Sequence, residues 1–317
     1  MVAFAYFFDF QFVRMGNFWY FFFWLLLVGL FFYTNHLCKR KGKKFTDRFV
    51  LILICLNFAL HIFKQFMPRY RAEWPDGWAD SLFPNLCAAL IFLSPFIYLW
   101  GPKPFKDYMY YLGVISGLAV FFFPTGAMRY EEFPGGFSSA EYVFETIRFY
   151  LCHTILILAG YLMVAHGSHK LSYKRIKFVP LVFGFFFLVV GLHAIVWGPI
   201  AKLAKYPHGW VGEDGVFNNR SLGQLIANQS MVFGPQPGLD KVLRPIAERI
   251  FIPGLMSYWV DGELYYTPIL WASPALLLAI AIVGPLMTYP FDSFAMRRAY
   301  EGYKQKRKLA REARREE

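Results

Sequence analysis

Seven runs of mostly apolar residues constrain this chain more than any other feature: roughly residues 17 to 37, 49 to 66, 82 to 100, 107 to 124, 149 to 165, 178 to 198 and 267 to 290. A helix needs about 20 such residues to cross the hydrocarbon core of a bilayer. With no water inside that core, the backbone has to satisfy its own hydrogen bonds, and a helix does so within one segment. Composition points the same way, since 57% hydrophobic and 17% charged residues cannot cover a water-exposed surface. The expectation is an all-α polytopic membrane protein, a seven-transmembrane-helix bundle. No basic leader precedes the first run, which is read as a retained helix rather than a signal peptide.

The net charge of +12 could serve nucleic acid or an anionic membrane, and its placement decides between them. Lys39, Arg40, Lys41, Lys43, Lys44 and Arg48 follow the first run; Lys103 and Lys106 follow the third. Lys170, Lys174, Arg175 and Lys177 follow the fifth, and nine basic residues lie between Arg297 and Arg315. Alternate connections are balanced, such as residues 199 to 266 with six basic and six acidic side chains. Positive charge is retained on the cytoplasmic side, so the expected orientation in the plasma membrane has the N-terminus outside and the C-terminus cytoplasmic. Short juxtamembrane clusters suit an anionic leaflet, and no nucleic-acid partner is expected.

The chain divides accordingly. Residues 1–16 form an interfacial N-terminal segment, 17–198 a six-helix membrane core, and 199–266 an extracytoplasmic, lid-like segment. Residues 267–290 make the seventh span and 291–317 a basic cytoplasmic tail. Within the lid, Pro207 to Gly215 reads as turns, and Asn228-Gln229-Ser230 fits a glycosylation acceptor. Leu239, Val242, Leu243, Ile246 and Ile250 recur at helical spacing, which predicts an amphipathic helix on the outer leaflet. Pro245 should bend it.

Ionisable or reactive groups inside a span are functional candidates. His61, Cys87, His153 and His193 all fall roughly 6 to 8 Å below the outer interface at a rise of about 1.5 Å per residue. Asp80, Ser81 and Pro84 resemble a helix start, which would put Cys87 near the positive end of a helix dipole and favour its thiolate. A histidine at the same depth could act as its base. Cys152 is read as packing, and no cysteine spacing suggests a disulfide framework. Ser138 and Glu141 have capping-box spacing. Glu145 and Arg148 read as a local ion pair, with a lipid phosphate as the sharper partner for Arg148. Asn57, one turn from His61, would orient that imidazole or bond across helices.

The string Leu82-Phe83-Pro84-Asn85-Leu86-Cys87, followed by Arg148-Phe149-Tyr150-Leu151-Cys152-His153, resembles the YwaF-like bacterial membrane proteins, relatives of the transmembrane protein 164 acyltransferases. The likeness covers roughly residues 48 to 198 and includes Phe123-Pro124-Thr125. It implies that Cys87 carries a fatty acyl group during transfer between phospholipids, and that His153 is the matching histidine. Asn85 departs from the family pattern, which has histidine there; an Asn can donate to an oxyanion but cannot serve as a base.

The resulting expectation is a phospholipid acyltransferase using a cysteine thioester, with Cys87 and His153 catalytic and Asn85, His61, His193 and Arg148 binding substrate or oxyanion. Membrane phospholipids are the partners; no cofactor, metal or obligate protein partner is called for. The rival is a transporter, scramblase or accessory protein with a histidine-lined pathway. A third reading, zinc held by His61, His153 and His193, would need three ligands converging on an open position.

Overall fold

The structure is a computed structural model that describes residues 7–68, 71, 82–128, 133, 135–205, 232, 234–235, 237–260 and 262–316. The Asp80 and Ser81 helix start, the turns from Pro207 to Gly215 and the Asn228 acceptor lie outside these residues.

The chain is mostly helical. Helices α1 (Phe18–Lys41) and α2 (Lys43–Phe63) are separated by Gly42, whose φ of 79° suits a residue without a Cβ. They are followed by α3 (Leu86–Trp100), α4 (Lys103–Phe122), α5 (Ala140–Ala165) and α6 (Val179–Lys205). Further along come α7 (Pro237–Ile250), a hairpin of β1 (Ser257–Val260) and β2 (Glu263–Tyr266), and the long α8 (Ser273–Glu316). Among the described residues, five segments are long and apolar enough to cross a membrane: Phe18–Lys41, Lys43–Phe66, Ala140–Ala165, Tyr173–Trp197 and Leu270–Ala310. The other two expected spans are less ample. α3 begins at Leu86 and has 15 residues, about 22 Å at 1.5 Å per residue against a hydrocarbon thickness of about 30 Å. α4 opens with Lys103, Lys106 and Asp107.

The core lies among α2, α3, α4 and α5. α3 and α5 face one another across it, each packed on α2 and α4. A small cavity there is lined by Asn57, Ser94, Met109, Ile155 and Gly160 among others. α4 and α5 approach most closely because Gly113, Gly117 and Gly160 remove side chains from the seam. A Cβ at Gly113 would stand 2.9 Å from the Leu156 carbonyl oxygen, and one at Gly117 2.9 Å from that of His153. Small residues four apart are the usual means of close helix approach in lipid. Outward faces carry exposed Leu25, Phe32, Ile52 and Leu181, as a lipid-facing surface should.

Residues 9 to 17 fold over the N-terminal end of α5. The Tyr142 hydroxyl accepts from Val13 N at 2.9 Å and donates to Ala127 O at 2.7 Å. Phe12 and Val13 are buried there. The Ser138–Glu141 capping box does not form: Ser139 occupies the N-cap without a side-chain bond, and Ser138 Oγ turns to Gly135 O.

At the opposite end, the connection between α5 and α6 is pinned by four elements. Asp107 of α4, 1% exposed, accepts from His169 Nε2 at 2.7 Å and from the Arg175 fork at 2.6 and 3.0 Å. Asp47 of α2 accepts from the Ser168 amide and hydroxyl, Asp292 of α8 from Tyr173 N, and Asn35 of α1 meets His166. Arg175 is therefore committed to a buried carboxylate rather than to a lipid surface. Tyr111 bonds Thr288 at 2.6 Å and Tyr110 donates to Met287 O, which ties α8 to α4.

The segment 237–272 has its own small core. Ala247 of α7 packs with Leu264, Tyr266 and Trp271. The amphipathic helix is present and runs through Pro245 without ending. The hairpin was not expected from periodicity, although Asp261-Gly262 between alternating residues is a strong two-residue turn signal, and Gly262 has the positive φ of 78° that such turns require.

Candidate functional site

The site is built on the turn Leu82 to Asn85 and the first turn of α3. Asn85 is extended (φ −148°, ψ 172°), and its Oδ1 accepts from Ala88 N at 2.9 Å. This makes Asn85 the N-cap of α3. A cap oxygen satisfies a helix-terminal donor that would otherwise lack a partner. Cys87 is thereby the second residue of the helix, within the turn where the dipole is felt. Its thiol is turned into the interior and faces its own amide and the Ser116 hydroxyl of α4. Ser116 Oγ is buried and meets no partner within hydrogen-bond geometry, so the serine stands beside the sulfur rather than bonded to it.

Two of the histidines hold this turn from either side. His61 of α2, 3% exposed, places Nε2 2.8 Å from Leu82 O. A carbonyl partner makes Nε2 the protonated nitrogen. His193 of α6 packs its ring edge on Phe83 with centroids 5.3 Å apart and lies parallel to Trp197. Phe83 also packs on Phe92 of α3. His61, Asn85 and His193, expected as substrate or oxyanion groups, thus all have structural engagements with the segment that presents Cys87.

His153 sits differently. Its Nδ1 lies 2.7 Å from Phe149 O, one turn back on α5, and its ring rests on the Phe149 ring. Nδ1 then carries the proton and Nε2 keeps a lone pair, the form a general base needs. No hydrogen bond joins His153 to Cys87 among the described residues. The two border adjacent residues of α4, because Ser116 faces the thiol and Gly117 abuts the His153 carbonyl. Catalytic hydrogen bonds are often longer before substrate binds.

Arg148 forms a forked ion pair with Glu145, at 3.2 and 2.6 Å, and both side chains are largely withdrawn from solvent. Asn57 bonds across helices, its Nδ2 donating to Cys152 O at 3.0 Å, and does not orient His61. The Cys152 thiol is buried and lies beside Arg148. Sequence reading missed Lys64 and Gln65, both buried at the end of α2, although a lysine one turn beyond His61 in an apolar run is itself a signal. It also missed Ser116 and Tyr108, whose buried hydroxyl is within electrostatic reach of Cys87. Ordinary serine and tyrosine in a span give no sequence signal of their own. Among the described residues, His61, His153 and His193 do not converge as metal ligands.

The model of the TMEM164 family matches residues 10–201. No curated protein and no solved structure matches the chain.

Proposed function

The chain belongs to the TMEM164 family, and on that footing we propose that it is a phospholipid acyltransferase working through a thioester on Cys87. The observation that carries the reading is the placement of this thiol in the first turn of α3, behind the Asn85 cap and beside Ser116. On this reading the site opens to the outer leaflet. Family membership and five membrane-crossing segments support an integral membrane enzyme. The basic connections support a C-terminus on the cytoplasmic face of the plasma membrane.

In the forward half-reaction, His153 Nε2 removes the Cys87 proton while sulfur attacks the acyl ester carbonyl of a phospholipid. Helix-terminal amides or the Asn85 amide stabilise the oxyanion. The ester C–O bond breaks, and the lysolipid oxygen takes the proton from His153. In the return half-reaction, a second lysolipid hydroxyl gives its proton to His153 and attacks the thioester. The thiolate leaves and is reprotonated. Neither redox change nor cofactor is required. His61 and His193 fix the turn that aims the thiol.

The rival reading, transport or scrambling, is favoured by the buried charges Lys64, Glu145 and Arg148 in or next to spans. The experiment is incubation in native lipid with an alkyne-tagged acyl phospholipid, followed by mapping of hydroxylamine-labile label. Label on Cys87 that accumulates without acceptor and is lost in Cys87→Ala supports the thioester. No labile label on any cysteine, with unchanged lipid composition in Cys87→Ala, would hand the case to the rival.

A further inference from the structure

α8 breaks helical geometry once, at Asp292 (φ −137°, ψ 30°), where the carboxylate is engaged by Tyr173 N at 2.9 Å. The apolar run ends there and the basic tail begins. On one side of the break lies an open groove lined by Tyr289, Met296, Arg297, Tyr300 and Glu301. Arg297 is held across it, its Nε and Nη2 donating to the Tyr289 hydroxyl at 3.1 and 2.7 Å. The guanidinium has five N–H donors, so three remain. Arg298 covers Phe294 with 4.5 Å from guanidinium carbon to ring centroid. Phe294, Tyr300 and Tyr303 are 71%, 68% and 62% exposed, which is costly in water at the mouth of a span.

Aromatic side chains are enriched at the level of lipid headgroups. A guanidinium fork matches phosphate oxygens in geometry as well as charge. The nine basic residues from 297 to 315 continue the same sign along the helix, so an anionic surface is the complementary one. Glu301 is the opposing charge in the groove, and its position beyond Arg297 leaves the side nearest the span to the arginine.

We propose that the Tyr289–Arg297–Tyr300 groove holds the phosphate of an acidic phospholipid in the leaflet on the tail's side, docking residues 293–316 on that surface. The site is separate from Cys87 and stands whether or not the acyl chemistry does.

The test compares amide hydrogen exchange across residues 293–316 of the full chain in phosphatidylcholine nanodiscs with and without phosphatidylglycerol. Exchange should slow by about tenfold with the acidic lipid, a protection that added salt removes. Arg297→Gln combined with Tyr289→Phe should lose most of it, while Arg297→Lys, which keeps the charge without the fork, should retain part of it. Unchanged exchange in α2 and α5 shows that these variants remain folded. Equal tail exchange in the two lipids, or protection indifferent to Arg297, would overturn the proposal, and the former would redirect the tail to a protein partner.

Discussion

The Nε2 of His61 on α2 lies 2.8 Å from the carbonyl oxygen of Leu82, the residue at the start of the turn that presents Cys87. One buried imidazole thus anchors the entry to α3 from a helix twenty-one residues away in sequence.

His61→Ala leaves that carbonyl without its donor in a buried place. Leaving such a group unsatisfied costs about 1–3 kcal/mol, expected as a lower unfolding temperature in detergent. His61→Gln, which can still donate, should recover part of it. If both variants melt like the wild type, the anchor contributes nothing.

Asn85→Ala removes the cap on α3 and should cost about 0.5–2 kcal/mol. Asn85→Ser keeps a cap oxygen but no amide. Retained stability with reduced acyl transfer in Asn85→Ser would assign the amide to the oxyanion; full activity there would confine Asn85 to capping.

Gly117→Ala would place a methyl 2.9 Å from the His153 carbonyl and 2.4 Å from Ile157 Cγ1. Overpacking of this kind costs typically about 1–3 kcal/mol and would push α5 away from α4. Gly184→Ala, which meets nothing within 4 Å, is the control. Equal melting temperatures for the two variants would refute the close-packing account of this seam.

Asp107→Ala strips the shared acceptor from His169 and Arg175, with the carboxylate side chain only 2% exposed. Breaking a buried pair by removing one partner costs about 3–5 kcal/mol, and about the lower half is expected because Arg175 is 20% exposed. Limited proteolysis between residues 166 and 178 should accelerate in parallel. A variant as resistant as the wild type would show that Asp47 and Asp292 hold the connection unaided.

His166, just beyond α5, is held below the usual histidine range by burial and then by nearby Lys39. The folded state therefore favours the neutral ring bonded to Asn35. As pH falls below about 6.5, the unfolded chain takes up a proton before the folded one. Stability is present above that value and is lost progressively down to the folded pKa. His166→Gln should lose less melting temperature than the wild type between pH values of about 7.5 and 5.5; an equal loss would place the acid sensitivity elsewhere.

Much of the fold was legible because its signals are local. Length and apolarity of a run mark a membrane helix whatever surrounds it, and spacing alone revealed α7 in a segment otherwise rich in turns. The third apolar run opens at Leu82 but α3 begins at Leu86, because Asn85 adopts the extended backbone of a cap, and residue type alone does not say where a cap forms. The hairpin around Gly262 is marked in the sequence by its two-residue turn rather than by helical spacing.

Counting along each helix placed His61 and His193 near the same end of the bundle as the start of α3, and both engage the turn before Cys87, through Leu82 and Phe83. What each side chain faces was not legible. Helix rotation depends on which partners fill the opposite seam, and that is a property of Gly113, Gly117 and Gly160 together with distant carbonyls rather than of any single segment. Tertiary packing accordingly decided that His61 serves Leu82, that Asn57 serves Cys152, and that Arg175 turns inward to Asp107. A buried polar group takes whichever complementary partner the assembled interior brings within hydrogen-bond reach, and that partner is seldom near it in sequence.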